Sequence, residues 1–252
     1  MAALNNTYDT YHTYGSRVLR QETAMGAGAQ LLLLALLGTA GALGPLGRFA
    51  GLVFTVASWA VLTRALGRSW PRTRPFGPAN AVTLARTTLI GGVTALVADS
   101  FVRPPAVAAL VTLTAVALVL DAVDGRVARR TGTASALGAR FDMEADAFLI
   151  MVLSVYVALS LGVWVLLIGA MRYVFVVAAR AVPWLNGPLP PSMARKTVAA
   201  LQGVALLVAA SGLPPRPAAH GLVLGALALL SWSFGRDIRG LRRAAAAPAL
   251  LR

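Results

Sequence analysis

The chain has 252 residues, of which 58% are hydrophobic and 13% charged, with a mean hydropathy of +0.72; this excludes a water-soluble domain and places the chain in a membrane. A formal net charge of +14 would suit a nucleic-acid partner, but the arginines are scattered among apolar runs and form no basic domain with interleaved aromatics, which excludes nucleic acid as well. With no cysteine in the chain, disulfides, thiolate nucleophiles and cysteine-based metal sites are also excluded.

In chain order, residues 1–27 are polar and precede the first apolar run with no small-residue cleavage site, so they are expected to form a retained cytoplasmic tail and not a cleaved signal peptide. Apolar runs of roughly 17 to 22 residues then recur, the length that ~20 helical residues need to cross a ~30 Å hydrocarbon core. Strand-type alternation is absent, and helices satisfy the backbone in lipid. The predicted spans are 28–45, 50–67, 80–98, 105–124, 140–160, 162–182, 196–212 and 218–235. The fold class is therefore all-α, a polytopic membrane helical bundle. The basic, proline-rich connector RALGRSWPRTRPFGP (Arg64 to Pro78) sets an accessory two-helix segment, 28–75, apart from a six-helix unit, 76–240, which a basic tail, 241–252, follows. His12 falls in the polar tail and His220 in an expected loop, neither with a ligand partner at metal spacing.

Cytoplasmic loops of membrane proteins hold the excess of Lys and Arg. With the N-terminus inside, 18 basic residues fall in cytoplasmic segments, and only Arg48, Arg103 and Arg216 fall outside. Eight spans with both ends cytoplasmic follow, in the cell membrane.

Five of the nine acidic residues lie in one stretch, LDAVDGRVARRTGTASALGARFDMEADAF, from Leu120 to Phe148, at the cytoplasmic ends of the fourth and fifth spans. Asp121 and Asp124 are three apart, and Asp142 and Asp146 four apart, so each pair shares a helix face. Two antiparallel helices can aim four carboxylates into one pocket. Uncompensated, they would cost several kcal/mol per buried ion, and one or two divalent cations supply the compensation. Oxygen ligands suit Mg²⁺, Mn²⁺ or Ca²⁺ better than zinc, and Mg²⁺ usually meets a protein through carboxylates plus substrate phosphates. The competing reading is a solvated loop in which these acids pair with Arg126, Arg129, Arg130 and Arg140.

The spacing Asp121-x2-Asp124-Gly125-x2-Ala128-Arg129-x8-Gly138-x3-Asp142-x3-Asp146 resembles the complete signature of the CDP-alcohol phosphatidyltransferase family. The resemblance implies an enzyme with a six-helix membrane core and two metal ions, Mg²⁺ or Mn²⁺, held by Asp121, Asp124, Asp142 and Asp146. It implies a CDP-linked lipid such as CDP-diacylglycerol as donor, a hydroxyl acceptor, membrane lipids as surroundings, CMP as product and a homodimer. Asp146 would take the acceptor's proton, Gly125, Ala128 and Gly138 would line the nucleotide pocket, and Arg129 would meet phosphate or nucleotide. Upstream, PANAVTLART places Asn80, Thr83 and Arg86 at helical spacing, resembling the family's first core helix with these side chains toward the nucleotide. Arg86 is a charge nearly two turns inside an apolar run, and such a charge usually faces a polar cavity.

Arg172 interrupts another apolar run, and Lys196 is the only lysine beside 22 arginines. By resemblance to basic residues of the family they are candidates to receive an acceptor phosphate, against the alternative of snorkelling or topology-setting cations. That favours a polyol phosphate, glycerol 3-phosphate or inositol 1-phosphate, over serine. Two other functions compete. A UbiA-type prenyltransferase also binds pyrophosphate through aspartates, but in motifs from separate halves of its chain. An ion-coupled transporter would be expected to show inverted repeats or broken helices.

Overall fold

Proline, glycine and one long-range carboxylate decide where the apolar runs break. The computed structural model describes residues 24–69, 78–131, 136–187 and 192–246, without side chains at 62, 65–69, 78–81, 124–131 and 136–141. Among the described residues there are eight α-helices and no strand: α1 Ala24–Thr39, α2 Pro45–Ser69, α3 Pro78–Asp99, α4 Val107–Thr131, α5 Ala136–Leu161, α6 Leu166–Ala181, α7 Met193–Ala210 and α8 Arg216–Ala246. Five segments are long and apolar enough to cross a membrane, Val82–Asp99, Asp142–Leu161, Val163–Ala181, Met193–Ala210 and Arg216–Ala246, and three shorter apolar segments lie in α1, α2 and α4. Each predicted span has its helix, and the all-α polytopic bundle is the observed class.

The boundaries differ for physical reasons. The first span was expected to reach residue 45, but α1 stops at Thr39. Gly41 takes a left-handed φ of 72°, and the Ala42 N–H bonds back to the Leu37 carbonyl at 3.0 Å, closing the helix with a left-handed glycine cap. The fourth span was expected to end at residue 124, yet α4 continues to Thr131. The aspartate pair thus lies within the helix and not at its end. The last span was expected to end at 235, but α8 runs to Ala246, where Leu241 is buried with Ala179 and Leu185 and holds the basic extension in helix. His220, expected in a loop, lies in the first turns of α8.

The chain forms two compact units, Met1–Asp146 and Ala147–Arg252. In the first, α3 packs against both α2 and α4, and small residues let the backbones approach. At Gly47 of α2 an added Cβ would sit 2.7 Å from the Ala95 carbonyl oxygen, and at Gly92 of α3 it would meet Leu33 of α1 at 2.8 Å and Leu113 of α4 at 3.1 Å. Accordingly Ile90, Val93, Ala95, Leu96 and Val97 of α3 are buried. Asp99, at the end of α3, accepts the backbone N–H groups of Gly44 at 2.8 Å and Gly47 at 3.2 Å, so one buried carboxylate satisfies two backbone donors at the start of α2 and faces its positive dipole end.

In the second unit, a short 3-10 turn, Val163–Val165, links α5 to α6. Gly169 of α6 lies so close to α5 that a Cβ would be 2.6 Å from the Met151 Cα. α7 pairs with α8, where the buried Gln202 donates to the Ala226 carbonyl at 2.9 Å. The apolar side chains left exposed, among them Phe49, Val53 and Val56 on α2 and Val174 and Val177 on α6, are the surface a bilayer covers.

Candidate active site

Among the described side chains, the first unit gathers three of the signature aspartates. Asp121 comes from α4, and Asp142 and Asp146 come from successive turns of α5. One carboxylate oxygen from each lies within 4.8 Å of the others. Carboxylate oxygens gathered this closely can share a cation, and an all-carboxylate donor set suits a hard divalent ion. The residues therefore fit a divalent metal ion.

On the closed side of the cluster stands Arg86 of α3. Its Nη1 donates to Asp142 and its Nη2 to Asp146, and Nη2 also pairs with the Asp121 Oδ1 at 3.0 Å. The Arg86 side chain is 1% exposed, while those of Asp121, Asp142 and Asp146 are 38%, 34% and 42% exposed. The guanidinium thus forms the floor, and the carboxylates open outward. An unpaired Arg at this depth would cost several kcal/mol, which its carboxylate partners offset. Arg86 was expected to face a polar cavity on the nucleotide side; the partners described for it are the carboxylates.

The other candidates divide by location. Thr83 is half-buried one turn before Arg86, and its carbonyl accepts the Thr87 hydroxyl at 2.8 Å. The side chains of Asn80, Asp124, Gly125, Ala128, Arg129 and Gly138 lie outside the described residues; their backbone is helical, in α3 for Asn80, α5 for Gly138 and α4 for the rest. Glu144, two residues from each neighbouring aspartate, is exposed. Arg172 of α6, half-buried, and Lys196 in the first turn of α7, exposed, belong to the second unit. There Arg195 pairs with Asp237 at 3.4 Å, and Arg236 donates to the Ser192 hydroxyl at 3.1 Å. The contact that sequence reasoning missed is the one between Arg86 and the aspartates. Its only signal was a charge inside an apolar run.

A family model described as CDP-alcohol phosphatidyltransferase matches residues 77–234. No curated protein and no solved structure matches the chain. The match begins at the foot of α3, ends within α8, and contains Arg86 and all four signature aspartates. The prenyltransferase and transporter alternatives fall with it. A match over more than half of the chain, on a helical membrane bundle with a carboxylate cluster inside the matched region, means that this chain belongs to the CDP-alcohol phosphatidyltransferase family, enzymes that move a phosphatidyl group from a CDP-alcohol to an alcohol acceptor.

Proposed function

We propose that the enzyme transfers the phosphatidyl group of CDP-diacylglycerol to a polyol phosphate, glycerol 3-phosphate or inositol 1-phosphate, at the cytoplasmic face of the cell membrane. The observation that carries the site is the meeting of three carboxylates from two helices, with oxygens within 4.8 Å, in the part of the chain that matches the family.

In this reading Asp121, Asp124, Asp142 and Asp146 hold two divalent cations, Mg²⁺ or Mn²⁺. When bound, these ions neutralise the pyrophosphate and the charge on the departing CMP. Asp146 takes the proton of the acceptor hydroxyl, as a carboxylate within reach of that group can. The freed oxygen forms a bond to the β-phosphorus, the bond from that phosphorus to the bridging oxygen breaks, and the electron pair leaves with CMP. Gly125, Ala128 and Gly138 let the backbone approach the nucleotide. Arg129 offers it a planar donor fork, and Asn80 and Thr83 lie on the helix that carries Arg86. Arg172 and Lys196 receive the acceptor's phosphate. Residues 76–240 form the catalytic core, the preceding helix pair is an accessory segment, and two copies of the chain associate.

The test is CMP release by purified protein supplied with CDP-diacylglycerol, Mg²⁺ or Mn²⁺, and a panel of acceptors. CMP should appear only with a divalent cation, and faster with a polyol phosphate than with serine. Faster release with serine would overturn the acceptor, preference for a CDP-alcohol lacking the diacylglycerol would overturn the donor, and full activity in excess chelator would overturn the metal site.

A further inference from the structure

Arg86 puts a permanent positive charge against the carboxylates that a divalent cation would use. Its two terminal nitrogens engage Asp121, Asp142 and Asp146 together, and among the described residues these are the three whose oxygens lie close enough to share one ion. We propose that Arg86 is the resident counter-cation of this cluster, holding the carboxylates together before metal arrives and weakening metal binding until substrate phosphates join.

The proposal rests on the reading of these aspartates as a divalent-cation site. Three carboxylates at the edge of hydrocarbon repel one another and lose hydration, and a guanidinium that cannot be deprotonated offsets part of that cost. The relative burial sets the order of events. Arg86 is the closed floor and the carboxylates form the open mouth, so an incoming ion meets the oxygens from the outside while the guanidinium holds them from within. A divalent ion and a guanidinium on the same carboxylates repel over a few ångströms of poorly screened space. Negative substrate phosphates reduce that repulsion, which couples metal binding to substrate binding in both directions.

Mn²⁺ binding to the nucleotide-free full-length protein in detergent, read by electron paramagnetic resonance, tests this separately from turnover. Arg86→Gln should bind Mn²⁺ at least tenfold more tightly than the unmodified protein, whereas Arg86→Lys, which keeps the charge, should stay within about threefold of it. Equal or weaker binding by Arg86→Gln, or equal tightening in both variants, overturns the proposal. Thermal unfolding supplies a second readout. In EDTA, Arg86→Gln should melt below the unmodified protein, and Mn²⁺ should restore it. A variant that folds neither in EDTA nor in Mn²⁺ shows that metal does not substitute for Arg86 and likewise overturns the proposal. Failure of the underlying site looks different: the unmodified protein would then bind no Mn²⁺ with or without CDP, and Asp142→Asn would leave that unchanged.

Discussion

At the scale of single residues, Asp146 and Asp99 show how differently two buried-edge carboxylates behave in one chain. Asp146 shares Arg86 with two other acids and opens to the outside, the position a proton acceptor needs. Asp146→Asn should lower turnover by about 10² to 10⁴, the range general bases contribute, while CDP binding is largely kept. A rate near that of the unmodified enzyme in a CMP-release assay would exclude the base role. Asp99 has no open side: its carboxylate accepts the N–H groups of Gly44 and Gly47 and pairs with Arg103 at 3.6 Å. Asp99→Ala should cost about 1 kcal/mol, as lost helix caps do, and lower the melting temperature by about 2 to 4 °C. Arg86 lies 13 residues earlier on α3, about 20 Å at 1.5 Å per residue, so kcat should not change. Substituting Arg172 or Lys196 should raise the KM for the acceptor phosphate more than it lowers kcat. Acceptor kinetics unchanged in both variants would remove them from the pocket.

Between helices, the glycines of α2 carry information that composition hides. Gly47 and Gly225 are both helical, yet a Cβ at Gly47 would lie 2.6 Å from Leu43 and 2.7 Å from the Ala95 carbonyl, whereas at Gly225 nothing comes within 4 Å. Gly47→Ala should therefore destabilise the protein by about 1 to 3 kcal/mol, as overpacking does. Gly225→Ala should leave stability unchanged or raise it by up to about 1 kcal/mol. Thermal unfolding of the two variants side by side checks the contrast, and equal effects would show that α2 does not seat on α3 as described. The same packing explains why the helix pair outside the family match is more than an appendage. α1 and α2 lie against α3, the helix that carries Arg86.

For the molecule as a whole, the proposed topology puts both ends of the chain and the carboxylate cluster on one side of the membrane. The absence of cysteine makes it directly measurable, because a single introduced thiol reports its own side. Leu213, 87% exposed between α7 and α8, should as Leu213→Cys react with an impermeant maleimide on intact cells. Gly240→Cys, near the end of α8 where nothing lies within 4 Å of the added Cβ, should react only after permeabilisation. The reverse pattern would move the proposed active site away from the cytoplasm.

Much of the fold and of the site is legible in the sequence. Helix number and membrane class follow from hydropathy, which each segment carries by itself. The grouping of Asp142 with Asp146 follows from four-residue spacing, and the family follows from a signature confined to 26 consecutive residues, Asp121 to Asp146. What stayed hidden depends on residues far apart along the chain. Arg86 reaches aspartates 56 and 60 positions away, and Asp99 caps a helix whose donors lie 52 and 55 positions before it. By itself, the sequence determined the environment, the helices and the chemistry its carboxylates imply. Only the tertiary structure decided that an arginine stands at the floor of those carboxylates and that α1 and α2 pack on the helix bearing it. Periodicity defines the faces of each helix, but which faces meet depends on how neighbouring helices are turned and how closely their backbones approach.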